Sequence, residues 1–474
     1  MSWLIFWIIL YLVVVIILSF RHLKTSDLEQ YLVNNRNTST LPLVFTVLAT
    51  FVGGGTSIGL MAMGYESGLA AVGIGIAYVI GFMIMFFFAG KIRTLGAINK
   101  IYSLPHFLNH TYTSGDNTGF TKLFSATVSG VNIFIFFFLL AAQFVAMASL
   151  LKFSFEIGYT TAAIISAVIV ILYTAIAGLS GVIITDMIQF VAIIIMIILI
   201  FIPGIVEDTG FFSRFNELPS EMLNGSHYGW VFLIALPLFL SWSVLVRMDI
   251  WQRILAAKDE KTAKRVSLIS GIGMLPFYII FPMVGMAIRI ISEESIDPKD
   301  VAYIFINNHS SGFIFGFAIV GLLSALMSSG DSFLNIISIS AVKDFAGWGK
   351  SKGSSNMYSM IRYTTVVFGI IALFVALVFP YIVDLMIVGI STIALFVPIT
   401  LFALTSKNAY KHRGAALSSI LSGFVVNIIL FTWGIISPEQ FSAKSSFIPA
   451  FIIAAIVLWI GVVVNKTKRY PIVK

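Results

Sequence analysis

Ser324, Ser328, Asp331, Ser332 and Asn335 fall at offsets 0, 4, 7, 8 and 11 within GLLSALMSSGDSFLN, Gly321 to Asn335, in an otherwise apolar stretch. At about 3.6 residues per turn they form one polar face of one helix. Polar and ionisable groups are costly in a bilayer, so they face a bundle interior or a water-filled path where an ion or solute passes. A sodium ion is a hard cation that takes several oxygen ligands, which hydroxyls and unwound backbone carbonyls supply. Ser328 and Ser329 fit that need. Asp186 lies about two turns into its own apolar run, at a depth close to Asp331 on an oppositely running helix. Two such carboxylates form a candidate second cation site or proton-coupling site; the other reading of Asp186 is a salt bridge with Arg247 or Arg253. Gln143, alone in the run Phe134 to Leu151, has more hydrogen-bonding capacity than lipid satisfies and is expected to point inward, to solute or to a neighbouring helix. Asp249, among Arg247 and Arg253, reads as a structural partner. Tyr78, Trp242 and Ser391-Thr392 are further candidates on spans bordering a cavity.

These residues need a membrane scaffold. The 474 residues are 59% hydrophobic and only 11% charged, with a mean hydropathy of +1.00, which a water-soluble surface does not allow. No cysteine is present, so disulfides, thiolate metal sites and cysteine catalysis are excluded. The six histidines fall in expected loops or at span edges, and no acid, base and nucleophile set converges, so an enzyme is not expected.

Thirteen apolar runs are long enough to cross about 30 Å of hydrocarbon: 3-20, 42-64, 69-90, 121-151, 158-178, 180-205, 229-253, 266-291, 311-345, 363-380, 382-405, 414-436 and 446-465. With the N-terminus outside and the first span retained as an anchor, one side holds Arg21, Lys24, Arg36, Lys91, Arg93, Lys100, Arg253, Lys258, Lys343, Arg362 and the basic tail. The other holds few cations, and its loops 206-228 and 292-308 are acidic. The positive-inside rule then puts the C-terminus in the cytoplasm and turns the basic pI from a nucleic-acid signal into a topology signal. Two spans carry interruptions in comparable positions of two five-span sets, 42-205 and 229-405: Gly53-Gly54-Gly55-Thr56 in one, Pro237 and Ser241-Trp242-Ser243 in the other. Paired breaks point to an inverted-repeat secondary transporter with its site at mid-membrane.

The chain resembles the sodium/solute symporter family on four segments: YTAIAGLSGVIITDMIQ (Tyr173 to Gln189), SALMSSGDSFLN, WQRILAAKD (Trp251 to Asp259) and YSLPHFL (Tyr102 to Leu108). The resemblance covers nearly the whole chain. It implies an all-α integral membrane fold of the leucine-transporter type in one domain: a leading helix 3-20, repeats 42-205 and 229-405, and two C-terminal helices in 414-465. It also implies a sodium site of backbone carbonyls at Ala49, Val52 and Ala325 with the hydroxyls of Ser328 and Ser329, and a second site at Asp186, Ser328, Asp331 and Ser332. Ala177 departs from the family's glycine, and Gly53, Gly54, Gly55 and Thr56 stand where sugar carriers use larger polar residues, with Ser243 at an aromatic gate position. A small or carboxylate-bearing solute, held by Gly53, Gly54, Gly55, Thr56, Gln143, Trp242 and Ser243, is therefore expected rather than a hexose.

The expected function is sodium-coupled symport of a small organic solute across the plasma membrane by alternating access. Sodium is the coupling ion, with no other metal or cofactor and no protein partner. The alternatives are a proton-coupled carrier, a channel, or a sensor on a transporter scaffold; a sensor would carry a signalling extension, and the tail after Asn465 is short.

Overall fold

The computed structural model describes residues 2–20, 28–113, 118–346 and 354–467. Arg21, His22, Lys24, Lys350, Lys352 and the tail residues Lys468, Arg469 and Lys474, expected as topology signals, lie outside the described residues. Among the described residues every long element is a helix, as demanded where backbone groups must be satisfied without water.

The leading helix α1 spans Ser2–Phe20. The first repeat opens with a broken span. Helix α2, Thr40–Phe51, ends at Val52, and after a π-helical turn over Gly55–Gly59 the chain resumes as α3, Leu60–Ser67, with a bend of 58°. Helix α4 is Ala70–Ile98, and α5 is Gly119–Phe155, started by Thr118, whose hydroxyl accepts the Thr121 N–H at 3.3 Å. Helix α6, Tyr159–Met196, holds two spans, because Gly178 sits inside it at φ +57° and divides Tyr159–Ile176 from Gly178–Asp208. A side chain there would also meet the Tyr31 ring at 2.4 Å. The very short link expected near Gly178 is this single residue.

The second repeat opens with α7, Gly229–Ala235, a π turn over Leu236–Leu240, and a turn at Ser243–Val246. A 50° bend at Arg247, whose ψ of 122° is extended, leads into α8, Met248–Ala256. The expected interruption at Ser241-Trp242-Ser243 therefore falls a few residues later. Proline 237 does not break the span, since the π turn absorbs its missing N–H. Next come α9, Glu260–Ile291, the short α10, Val301–His309, and α11, Gly312–Ile339, continued by a π turn over Ser340–Ala346. Helices α12, Ser354–Val378, α13, Ile382–Ile393, and α14, Val397–Thr405, complete the repeat, and α15, Arg413–Ile436, pairs with α16, Phe447–Thr467.

Eleven helices among the described residues are long and apolar enough to span, and each bent pair adds one, giving thirteen. Core and lipid faces separate by side-chain size. Helix α9 lies along α3 and α4 at backbone contact: a methyl on Gly285 would meet the Met61 carbonyl at 2.0 Å, and one on Gly64 the Pro282 carbonyl at 2.1 Å. Phe87, Trp459 and Leu172 point outward instead, as lipid-facing residues do. Helix α11 runs through the middle against α5 and α6, and its polar stripe is fully buried.

Candidate functional site

The glycine break ends against α5 and α11. Gln143 accepts the Gly54 N–H through Oε1 at 2.8 Å, and Ser329 Oγ donates to the Thr50 carbonyl at 2.7 Å. Glycine is required for this approach: a methyl on Gly53 would stand 2.1 Å from Ser329 Oγ, and one on Gly55 2.2 Å from Met386. Ser57 returns both its N–H and its hydroxyl to the Gly53 carbonyl, at 2.8 and 2.9 Å, so the break is internally hydrogen-bonded.

A cavity of about 210 Å³ opens beside it. Gly53, Gly55, Thr56, Gln143 and Ser329 line it, with Tyr78, Tyr278, Phe333 and Met386 as its apolar walls, and it extends to Lys444 and Phe447. Gly54 contributes through its bond to Gln143 instead of lining the wall. Trp242 and Ser243 do not line it. Because the span turns at Arg247 rather than at Ser241–Ser243, Arg247 reaches the cavity, held by Asp249 at 2.5 Å and stacked over Phe51 at 4.1 Å. Ser391 also lines it and Thr392 does not, and Asn427 Nδ2 donates to both hydroxyls, at 3.1 and 3.0 Å.

Next to Ser329 on α11, Ser328 Oγ donates to Asp186 Oδ1 at 2.5 Å. Asp186 Oδ2 accepts the Thr46 hydroxyl and lies 3.4 Å from Arg253 Nη2. That same nitrogen donates to Ser332 Oγ at 2.7 Å, Thr50 Oγ1 at 3.0 Å and Thr46 Oγ1 at 3.1 Å. Asp186 and Arg253 are both buried, so their charges compensate where water does not. Asp331 is turned elsewhere: its Oδ2 accepts the Tyr173 hydroxyl at 2.8 Å and its Oδ1 has no partner. Of the four residues expected at a second site, the structure thus places Asp186 and Ser332 at a guanidinium, with Ser328 bonded to Asp186, and turns Asp331 to Tyr173 in the first span of α6. Ala49, Val52 and Ala325 are buried beside the two serines, and the carbonyl that receives the Ser329 hydroxyl at the shorter distance is that of Thr50.

Thr46, Thr50 and Tyr173 were not singled out as ligands from sequence. Thr46 and Thr50 lie four apart on α2, so one helix face carries both hydroxyls, and that spacing is the signal that could have found them. No group of three or more His, Asp or Glu suited to a metal occurs among the described residues; a cation would meet hydroxyl and carbonyl oxygen here. A hydroxyl that donates its proton keeps its lone pairs, so the bonds of Ser328 to Asp186 and of Ser329 to Thr50 leave oxygen free for a hard monovalent ion.

Two broken helices facing each other across a buried polar site define a secondary transporter of the inverted-repeat, leucine-transporter type. The chain belongs to the Sodium:solute symporter family, whose model matches residues 31–423. It is 26% identical to the sodium/proline symporter of Staphylococcus aureus over 98% of this chain and 92% of that protein. Its fold is similar to the substrate-bound, outward-open state of a Na+-coupled sialic acid symporter, with a TM-score of 0.79, 18% identity and 98% of both chains covered. It is also similar to Mhp1, a nucleobase-cation-symport-1 family transporter in a closed conformation with bromovinylhydantoin bound, with a TM-score of 0.59, 14% identity, and 91% and 94% of the two chains covered. The chain is a multi-pass membrane protein that couples sodium to the transport of a small solute, and not an enzyme.

Proposed function

We propose that the solute is a compact carboxylate-bearing molecule of the amino-acid class, bound between Gly53, Gly55, Thr56 and Gln143. The observation that carries this is the Gln143 amide. Its Oε1 is committed to the Gly54 N–H, which fixes the amide's orientation, and Gln143 lines the cavity. Nε2 then presents N–H donors to the solute, and such donors suit a carboxylate. The glycines keep the cavity narrow by letting Ser329 and Met386 close in, which disfavours a hexose. Likeness to the sodium/proline symporter supports the same class.

Sodium sits at the Ala49, Val52 and Ala325 carbonyls and the Ser328 and Ser329 hydroxyls in this reading, beside the solute cavity that Ser329 also lines. The N-terminus is outside and the C-terminus cytoplasmic in the plasma membrane, so the cavity end at Lys444 faces outward. Ion and solute then bind from outside before the cytoplasmic side opens.

Proteoliposome uptake tests this. Proline should accumulate with an inward sodium gradient and not when choline replaces sodium at fixed pH. Gln143→Glu keeps the acceptor for Gly54 and removes the donors, so it should raise the KM for proline by about tenfold or more, one charge-assisted hydrogen bond being worth roughly 1.5–3 kcal/mol. Uptake of hexoses but no amino acid, or an unchanged KM in Gln143→Glu, would sink the solute assignment. Accumulation persisting in choline would sink the sodium site.

A further inference from the structure

We propose that Arg253 is a tethered cation that fills the place of a second sodium ion, so that this carrier binds one sodium while its cytoplasmic side is shut. This rests on the sodium reading above and adds to it. The carrying observation is the position of one guanidinium nitrogen. Arg253 Nη2 stands within 2.7–3.4 Å of Thr46 Oγ1, Thr50 Oγ1, Asp186 Oδ2 and Ser332 Oγ. These oxygens come from α2, the second span of α6, and α11. A hard cation would need the same cage of hydroxyl and carboxylate oxygens, and the nitrogen already stands in it.

Charge points the same way as space. A guanidinium is tied to the chain, so its cation does not come and go as a free ion does. Asp186 spends its charge on Arg253 and its lone pairs on Ser328 and Thr46. Asp331, the other carboxylate nearby, bonds Tyr173 and is not among the oxygens at Arg253 Nη2. Arg253 is itself anchored, with Nη1 donating to the Asp249 carbonyl at 3.2 Å within α8. When α8 moves to open the cytoplasmic side, the guanidinium leaves the cage with it. Asp186 therefore alternates between a fixed partner and none, which makes Arg253 a positioning residue for coupling rather than a spectator.

Counting sodium bound to the purified full chain, with radioactive sodium in equilibrium dialysis, tests the proposal. The native protein should bind one ion, Arg253→Lys should still bind one, and Arg253→Gln or Arg253→Met should bind two, returning to one when Asp186→Asn is added. Two ions on the native protein, or one ion on folded Arg253→Gln and Arg253→Met, would overturn it. If neither neutral variant folds, a native count of two overturns the proposal, and a native count of one with Arg253→Lys intact and Asp186→Asn not lowering that count supports it. No bound sodium on the native protein, or a count unaffected by Ser329→Ala, would instead mark failure of the underlying sodium site.

Discussion

A methyl group decides whether Gly53 and Ser329 can meet. In Gly53→Ala the new carbon would lie 2.1 Å from Ser329 Oγ, closer than real contacts allow, and a tight 3.1 Å from Gln143 Oε1, so the serine must turn from the Thr50 carbonyl. Losing one well-aimed oxygen on a cation costs roughly 1.5–3 kcal/mol. The sodium concentration for half-maximal uptake should therefore rise about ten- to a hundredfold. Gly130→Ala, where the added methyl meets nothing within 4 Å, should leave it unchanged. Equal responses from both variants would mean that helix propensity, not the Ser329 contact, governs. Ser328, Ser329 and Gln143 were legible in the sequence because a polar group in a long apolar run has few places to go except inward. Thr46 and Thr50 were less so, since a threonine in a helix can satisfy its hydroxyl on the preceding turn and only their spacing of four on one face hints at a shared partner. That Asp186 would take Arg253 as its partner was one of two readings that spacing left open; only the bend at Arg247, which aims α8 at α2, selects it.

Elements were legible to the extent that length and hydropathy dictate them. The thirteen runs and the glycine break are where expected, because a bilayer sets the length and three glycines in a row have no helical preference to resist it. The second break was displaced since a proline can be absorbed by a π turn, whereas the paired Arg247 and Asp249 hold an extended residue that no local propensity announces. The short helix α10 was hidden for another reason: it is too short to span and packs near the Asp208 end of the sixth span. There His309 Nε2 lies 2.9 Å from Asp208 and Nδ1 3.6 Å from Glu207. The bond to Asp208 holds the imidazole above its ordinary value of 6.5, against the opposing effect of burial. A raised value means the clasp contributes fully below pH 6.5 and is lost as pH climbs through the folded-state value. Thermal stability should accordingly decline from pH 6 toward 8.5, and His309→Gln should flatten that slope. Parallel slopes for the two proteins in a melting series would remove His309 from the account.

At the scale of the whole molecule, closure on one side is built from backbone carbonyls held by arginines. Thr38 pairs with Ala256 and Lys258 through two backbone bonds of 3.0 Å, tying the start of α2 to the end of α8. Arg93 donates to the carbonyls of Arg36, Ala257 and Lys258, and Arg36 to those of Ile101 and Leu255, at 2.8 Å for Ile101. The opposite end has the cavity that reaches Lys444 and Phe447. The Thr38 bonds, the three from Arg93 and that of Arg36 to Leu255 join the lead-in of α2 to the end of α8, so they weight the equilibrium toward the state shown, and removing them should favour its alternative. Arg93→Ala deletes three of them and should shift the population by about two orders of magnitude, since each charged donor to a carbonyl is worth about 1 kcal/mol or more and every ~1.4 kcal/mol is tenfold. The absence of native cysteine makes this measurable. A single cysteine at Ile387, on the cavity wall, should react with an impermeant maleimide added outside. Labelling should fall in Arg93→Ala and recover on adding sodium, because in the proposed reading an ion bound at Ser328 and Ser329 needs α2 held against α11 and so favours the same closed side. Labelling that stayed constant in Arg93→Ala would show that the arginine bonds do not set the balance, and recovery with choline as readily as with sodium would detach that balance from the coupling ion.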